Sequence, residues 1–330
     1  MLRTFIAAIS LTLLGTPLFA LCGGESYLER LSPDQYQQLQ QDAAAIRYGK
    51  GTAWTATKGS KVITLVGTMH INDARLTATM RPLITVIQTA ELILLEATPA
   101  EEAALEAEMM KHPEIFMNAT GPTLPEVLPE ETWNALTEAL RARQIPAFLA
   151  AKFQPWYLMM TLSIPTCAMG DILAKKRGLD HMIMDEATAS GIPMQALEPF
   201  DTLFDIMQSD TAEEQIEMLT LSVGMDIDQQ SMFVAMLDSY FDGEVGRLIA
   251  MSRLISQNLP NMDPAKGLAL TLEAEQELII DRNLAWMPVI SAAVAAHDNI
   301  MIAVGAAHLI GDQGILQLFE NESWTITRIP

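Results

Sequence analysis

KVITLVGTMH, residues 61–70, is an apolar run that closes on a glycine, two further residues and a histidine. An aliphatic stretch without polar alternation reads as a strand buried on both faces. The same frame returns at residues 300–308, IMIAVGAAH, so a second buried strand delivers His308 as the first delivers His70. Glycine at a strand end lets the backbone turn sharply without a Cβ penalty, which aims each imidazole above the sheet. Open α/β sheets bind ligands there, at the carboxyl ends of their strands.

Working outward, Trp54–Thr57 pairs with the first strand as a hairpin across Lys58, Gly59 and Ser60. Downstream come a helix over 76–89 and the buried strand ELILLE, Glu91 to Glu96. Strand, helix and strand at this spacing predict a βαβ unit with parallel strands. A capped helix from Pro33, a short strand over Pro193–Leu197, a helix over Gly314–Phe319 and a closing strand over Trp324–Ile329 complete the pattern. Residues 101–284 read as mostly helical. The apolar stretch Phe148–Met169 is interrupted by Lys152, Pro155 and Pro165, and reads as a pair of core helices rather than a membrane span. The fold class is α/β, with a central, mainly parallel sheet and a large helical middle region.

The chain of 330 residues carries 20 Lys and Arg against 41 Asp and Glu, a net charge of −21. Such a surface repels nucleic acid and anionic lipid, so neither is an expected partner. The N-terminus places Arg3 before the short apolar run Phe5–Leu14, then Gly15, Pro17 and Ala20, the order of a secretory leader over 1–20. An uncleaved anchor is the alternative. Bulky Leu21 argues against a lipoprotein attached through Cys22. An exported chain with two cysteines usually pairs them, so Cys22–Cys167 is the expected disulfide and two unrelated buried thiols the alternative. Periplasmic or secreted localisation follows, with no membrane span once the leader is removed.

Glu96 ends a strand after four aliphatic residues and must be solvated or paired, because burying a lone carboxylate is prohibitive. Were the strands of His70, Glu96 and His308 neighbours, two imidazoles and a carboxylate would converge, a donor set suited to a divalent metal with open positions. Singly, a histidine at a strand end is more often a hydrogen-bonded core residue. His112 and His297 read as surface residues, and His181 as a neighbour of the site. No GxSxG elbow, HExxH helix or phosphate-cradling loop is present.

At these residues the chain resembles the TraB/GumN family, to which the Tiki metalloproteases are related. The resemblance covers nearly all of the chain after the leader. LVGTMH with Glu96 behind it, Gly178–Glu198, the Arg282 and Asn283 pair, and VGAAHLIGDQG from Val304 carry it. AKFQPW at 151–156 and IPTCA at 164–168 resemble the exported proteobacterial branch. The family's two GxxH histidines and glutamate would be His70, His308 and Glu96. The Tiki branch implies a manganese- or cobalt-type peptidase, and zinc suits the same donors. Erythromycin esterases and haem-binding lipoproteins are more distant relatives. Around this core, Asp73 and Arg75 would hang over the pocket, Asp180 and Glu198 would flank it, and Arg282 with Asn283 would hydrogen-bond Glu96 or a bound carbonyl. Each also reads as a helix cap or a surface ion pair.

The expected activity is metal-dependent hydrolysis of a peptide or small molecule, with Glu96 as ligand or general base. A non-catalytic protein holding a metal, haem or peptide in the same pocket is the alternative. Export should remove the leader, so N-terminal sequencing of the extracytoplasmic protein should read from about Leu21. A start at Met1 on envelope-bound protein would make the segment an anchor.

Overall fold

The computed structural model describes residues 22–224, 228–260 and 262–330, and the expected leader lies outside them. Six strands form one sheet: β1 (Ala53–Lys58), β2 (Lys61–Thr68), β3 (Leu92–Leu95), β4 (Met194–Ala196), β5 (Asn299–Gly305) and β6 (Thr325–Arg328). Their order is β4-β3-β5-β2-β1-β6. β4, β3, β5 and β2 run parallel, while β1 is antiparallel to both β2 and β6. The hairpin, the βαβ unit and the closing strand thus belong to one mixed α/β sheet. β5, the last parallel strand in the chain, inserts between the two strands of the βαβ unit.

Hydrophobic burial explains that placement. Ile300 to Val304 and Leu92 to Leu95 are buried at every position, so both strands need cover on two faces and a paired neighbour on each edge. The helix Leu76–Thr89 supplies part of that cover through Leu76, Met80, Leu83 and Ile87, spaced along one helical face. The helix Pro33–Ala45 starts in a capping box made by Ser32 and Gln35.

Among the described residues, the region between β3 and β5 is mostly helical, with β4 as its strand. It builds a second hydrophobic cluster around Leu136, Leu140, Leu158 and Leu162, and a third around Leu39, Met251 and Ile255. Phe148–Met169 breaks into the short helices Ala147–Ala150 and Pro155–Ser163 and a 3-10 turn, with Leu158 and Leu162 buried, as a core role requires.

Among the described residues one helix, Pro264–Ala296, is long and apolar enough to cross a membrane by length and composition. Here its last turns pack Trp286, Ile290 and Ala293 into the cluster around the sheet. A π turn at Gln276–Ile280 interrupts its regular spacing. Such turns shift the phase of the residues that follow, and the next two side chains, Arg282 and Asn283, are buried.

Cys22 and Cys167 are disulfide-bonded across 145 positions. In the chain-entropy model a loop of that length contributes up to about 5 kcal/mol by restricting the unfolded chain. Reduction, or the double change Cys22→Ser and Cys167→Ser, should therefore lower the urea midpoint substantially. An unchanged midpoint would show that the bridge is thermodynamically idle.

Candidate functional site

Parallel register decides which residues meet. Thr68 pairs with Gly305 and Leu95 with Ala303, so the segments leaving β2, β3 and β5 emerge on one rim of the sheet. There His70 Nε2 stands 3.9 Å from Glu96 Oε1, and His308 Nε2 stands 4.0 Å from Glu96 Oε2. The Gly305 N–H donates to Glu96 Oε1 at 2.6 Å, which ties the end of β3 to that of β5. The paired glycines serve a purpose other than the sharp turn expected of them, since neither has a positive φ. A Cβ on Gly67 would lie 2.9 Å from Ala306, so Gly67 permits the 3-10 turn Ala306–Leu309 to cross β2. A Cβ on Gly305 would lie 3.3 Å from Glu96 Oε1 and 3.4 Å from His70 Nε2, in the hollow between them.

A single helix organises the rear of the site. Arg282, with a side chain only 7% exposed, donates to Glu96 Oε2 at 2.7 Å and to Glu198 Oε1 at 2.6 Å. It also faces His308 Nε2 at 3.3 Å. Next to it, Asn283 Oδ1 lies 2.8 Å from His308 Nδ1, and its Nδ2 donates to the His308 carbonyl at 3.1 Å. His308 thus carries its proton on Nδ1 and turns the Nε2 lone pair toward Arg282. Asn283 reaches His308 rather than Glu96. Trp286, one turn further on, stacks on His308 with ring centroids 4.4 Å apart and donates to Glu198 Oε2 at 2.8 Å. Its spacing of four from Arg282 was the available signal for this residue, which sequence reasoning passed over.

In front of this group lies a cavity of about 300 Å3 lined by His70, Glu96, Glu102, Asp180, Glu198 and Arg282, among others. His308 is not among its lining residues and stands behind Arg282. Leu105, Met184 and Phe200 form an apolar wall, and His181, on the cavity edge, pairs with Glu102. His70 Nδ1 is 3.4 Å from Asp180 Oδ1, and His181 Nδ1 is 2.8 Å from Asp180 Oδ2, both too misaligned to be hydrogen bonds. Thr68 Oγ1, Asp180 Oδ1 and His181 Nδ1 are therefore buried polar atoms without a hydrogen bond, clustered in one cavity. Asp73 and Arg75, expected over the pocket, turn elsewhere: Arg75 forks onto Asp73, reaches Asp238 and lies 4.0 Å over the Phe241 ring. His112 pairs with Glu108 and Glu114, and His297 with Glu91, both away from the rim.

The TraB/PrgY/gumN family model matches residues 52–328, from the start of β1 to the end of β6. The chain belongs to this family. No curated protein and no solved structure matches it significantly.

The charge balance of this TraB/PrgY/gumN site is lopsided. Four carboxylates line the cavity against one guanidinium and two imidazoles. Burial lowers the affinity of His70 for a proton, but the Asp180 contact and the fields of Glu96 and Asp180 prevail and push its pKa up to about 9. Its ring is 60% exposed, so water screens part of that pull. Burial pushes His308 down to about 4, with Arg282 and His70 adding to the effect against Glu96, so it is neutral at neutral pH. Burial alone would raise the Glu96 carboxyl. The fields of His308, His70 and Arg282 and the Gly305 N–H lower it on balance, and at neutral pH, with His308 uncharged, His70 and Arg282 are the cations that remain beside it.

Among the described residues, no group of three or more His, Cys, Asp or Glu side chains is arranged to hold a metal ion. His70 and Glu96 are the cavity donors that could join in holding one. His70 Nε2 and Glu96 Oε1 flank the hollow at Gly305, Asp180 Oδ1 lies 3.4 Å from the far nitrogen of His70, and the surplus of carboxylates favours a cation. His308 can complete the set only if Arg282 releases its Nε2. Imidazole 15N spectra at neutral pH should show His308 neutral with its proton on Nδ1 and His70 charged. Asn283→Ala should abolish the His308 tautomer preference and leave His70 unchanged; an equal response of both rings would mean that Asn283 acts on the fold at large.

Proposed function

We propose that this TraB/PrgY/gumN protein is an extracytoplasmic hydrolase of a peptide or ester carbonyl, with its reaction centre between His70, Glu96 and His308. The convergence of three strand ends on one cavity lined by four carboxylates, two imidazoles and a guanidinium supports this reading above any other feature. His70 and Glu96 would hold a divalent ion of the manganese or cobalt type, or zinc, with His308 as the gated third donor. Such an ion supplies a Lewis acid and a bound water of lowered pKa. Glu96, kept anionic by Arg282, would serve either as a ligand of that ion or as the base that takes a proton from an attacking water. Arg282 is a fixed cation on which negative charge developing at a carbonyl oxygen can rest. Leu105, Met184 and Phe200 give the substrate an apolar face to bind. The disulfide favours an oxidising compartment outside the cytoplasm.

One observation favours non-catalytic ligand binding instead. Arg282 already satisfies Glu96 Oε2 and faces His308 Nε2, so the resting site is self-neutralised on that side. Elemental analysis after loading the disulfide-bonded protein with manganese or cobalt and dialysis separates the cases. The unchanged chain should retain metal, whereas His70→Ala and Glu96→Gln lose it and His112→Ala and His297→Ala do not. Gly305→Ala should lose it with an unchanged circular dichroism spectrum, because its Cβ occupies the hollow. Chelator-sensitive cleavage of a peptide or ester library supports hydrolysis; retention without cleavage makes the chain a binding protein, and no retention ends the metal reading.

A further inference from the structure

The three hydrophobic clusters of the fold meet without closing. Among the helices Pro155–Ser163, Gln229–Phe241 and Val245–Ser256 they leave a cavity of about 530 Å3 that shares no lining residue with the candidate site. That volume falls within the range of small-molecule sites, roughly 300–1,000 Å3. Its wall is apolar and adaptable, built on Met159, Met232, Met236, Met251 and Phe233. Methionine is unbranched and polarisable, so such a wall moulds itself to a flexible chain better than to a rigid ring system.

A buried cation stands beside this cavity. Arg143 is 4% exposed and donates to the carbonyls of Ala139, Leu162 and Ile164, and at 2.6 Å to Oε1 of Gln229. Leu162 and Gln229 also line the cavity, and Gln229 is exposed. Among the described residues no carboxylate forms an ion pair with Arg143, and burial alone acts on it, lowering its pKa. The carbonyls it meets belong to the carboxyl ends of two helices, Glu130–Ala142 and Pro155–Ser163, whose dipoles offset part of the desolvation. Partial charges do not replace an anion, and none of the described carboxylates supplies one to this guanidinium.

We propose that this cavity binds a long-chain fatty acid, with the alkyl tail among the methionines and the carboxylate at the mouth beside Gln229, where Arg143 supplies the opposing charge. Apolar volume and a buried cation bonded to the cavity residues Leu162 and Gln229 together suit a single-chain amphiphile. Neither depends on the reaction assigned to the rim of the sheet.

The test titrates the delipidated, disulfide-bonded chain with cis-parinaric acid, followed by fluorescence, and then displaces the probe with oleate or methyl oleate. Saturable one-to-one binding is expected, with oleate preferred over its ester by about tenfold or more, the value of one modest charge contact. Met236→Trp should abolish probe binding by filling the cavity. Gln229→Glu places a carboxylate beside Arg143 at an exposed helix start, where an acid is tolerated. It should weaken oleate by about tenfold and leave methyl oleate unchanged. No saturable binding, equal affinity for acid and ester, or binding that survives Met236→Trp each overturns the proposal.

Discussion

The site depends on the pairing of β5 with β2 on one edge and β3 on the other. That pairing fixes Thr68 opposite Gly305 and Leu95 opposite Ala303, so that the Gly305 N–H can donate to Glu96 and the His70 ring can stand over the same glycine. A slip of one residue in β5 would turn its buried side chains to the opposite faces and carry Gly305 away from Glu96. The burial of Ile300 to Val304 therefore sets the geometry of the site as well as the stability of the sheet.

Arg282 is the second constraint. Removing a guanidinium from water costs several kcal/mol, and here two carboxylates, the Leu278 carbonyl and the Trp286 ring, 4.9 Å away, offset that cost. Losing one partner of such a group typically costs about 3–5 kcal/mol, so the residues that orient Glu96 and His308 also hold the helix Pro264–Ala296 against the sheet. An apolar helix of membrane-spanning length thereby carries the most polar contacts of the core.

The strands, the helix Leu76–Thr89 and the rim position of His70 and Glu96 were legible in the chain, because buried strands leave unbroken aliphatic runs that close on a glycine before His70 and on the carboxylate itself at Glu96. The reason for those glycines was not legible. Sequence suggested backbone freedom, whereas Gly67 is required by the closeness of Ala306, a contact between residues more than two hundred positions apart. Asp73 and Arg75 misled for a related reason: nearness to His70 along the chain places them in the same loop but does not say which way they face, and Asp238 and Phe241 draw Arg75 aside.

By itself the sequence determined the α/β class, the family, the two cysteines available for pairing and the three residues at strand ends. Local periodicity and composition encode all of these, and each can be read within a few residues of where it acts. Only the tertiary structure decided that β5 lies between β2 and β3, that Arg282 stands between Glu96 and His308, and that His308 is withheld from the cavity. Those outcomes depend on which buried surfaces find one another and on how a single guanidinium distributes its donors. No local pattern records that choice, because its energy comes from desolvating charges brought together from distant parts of the chain.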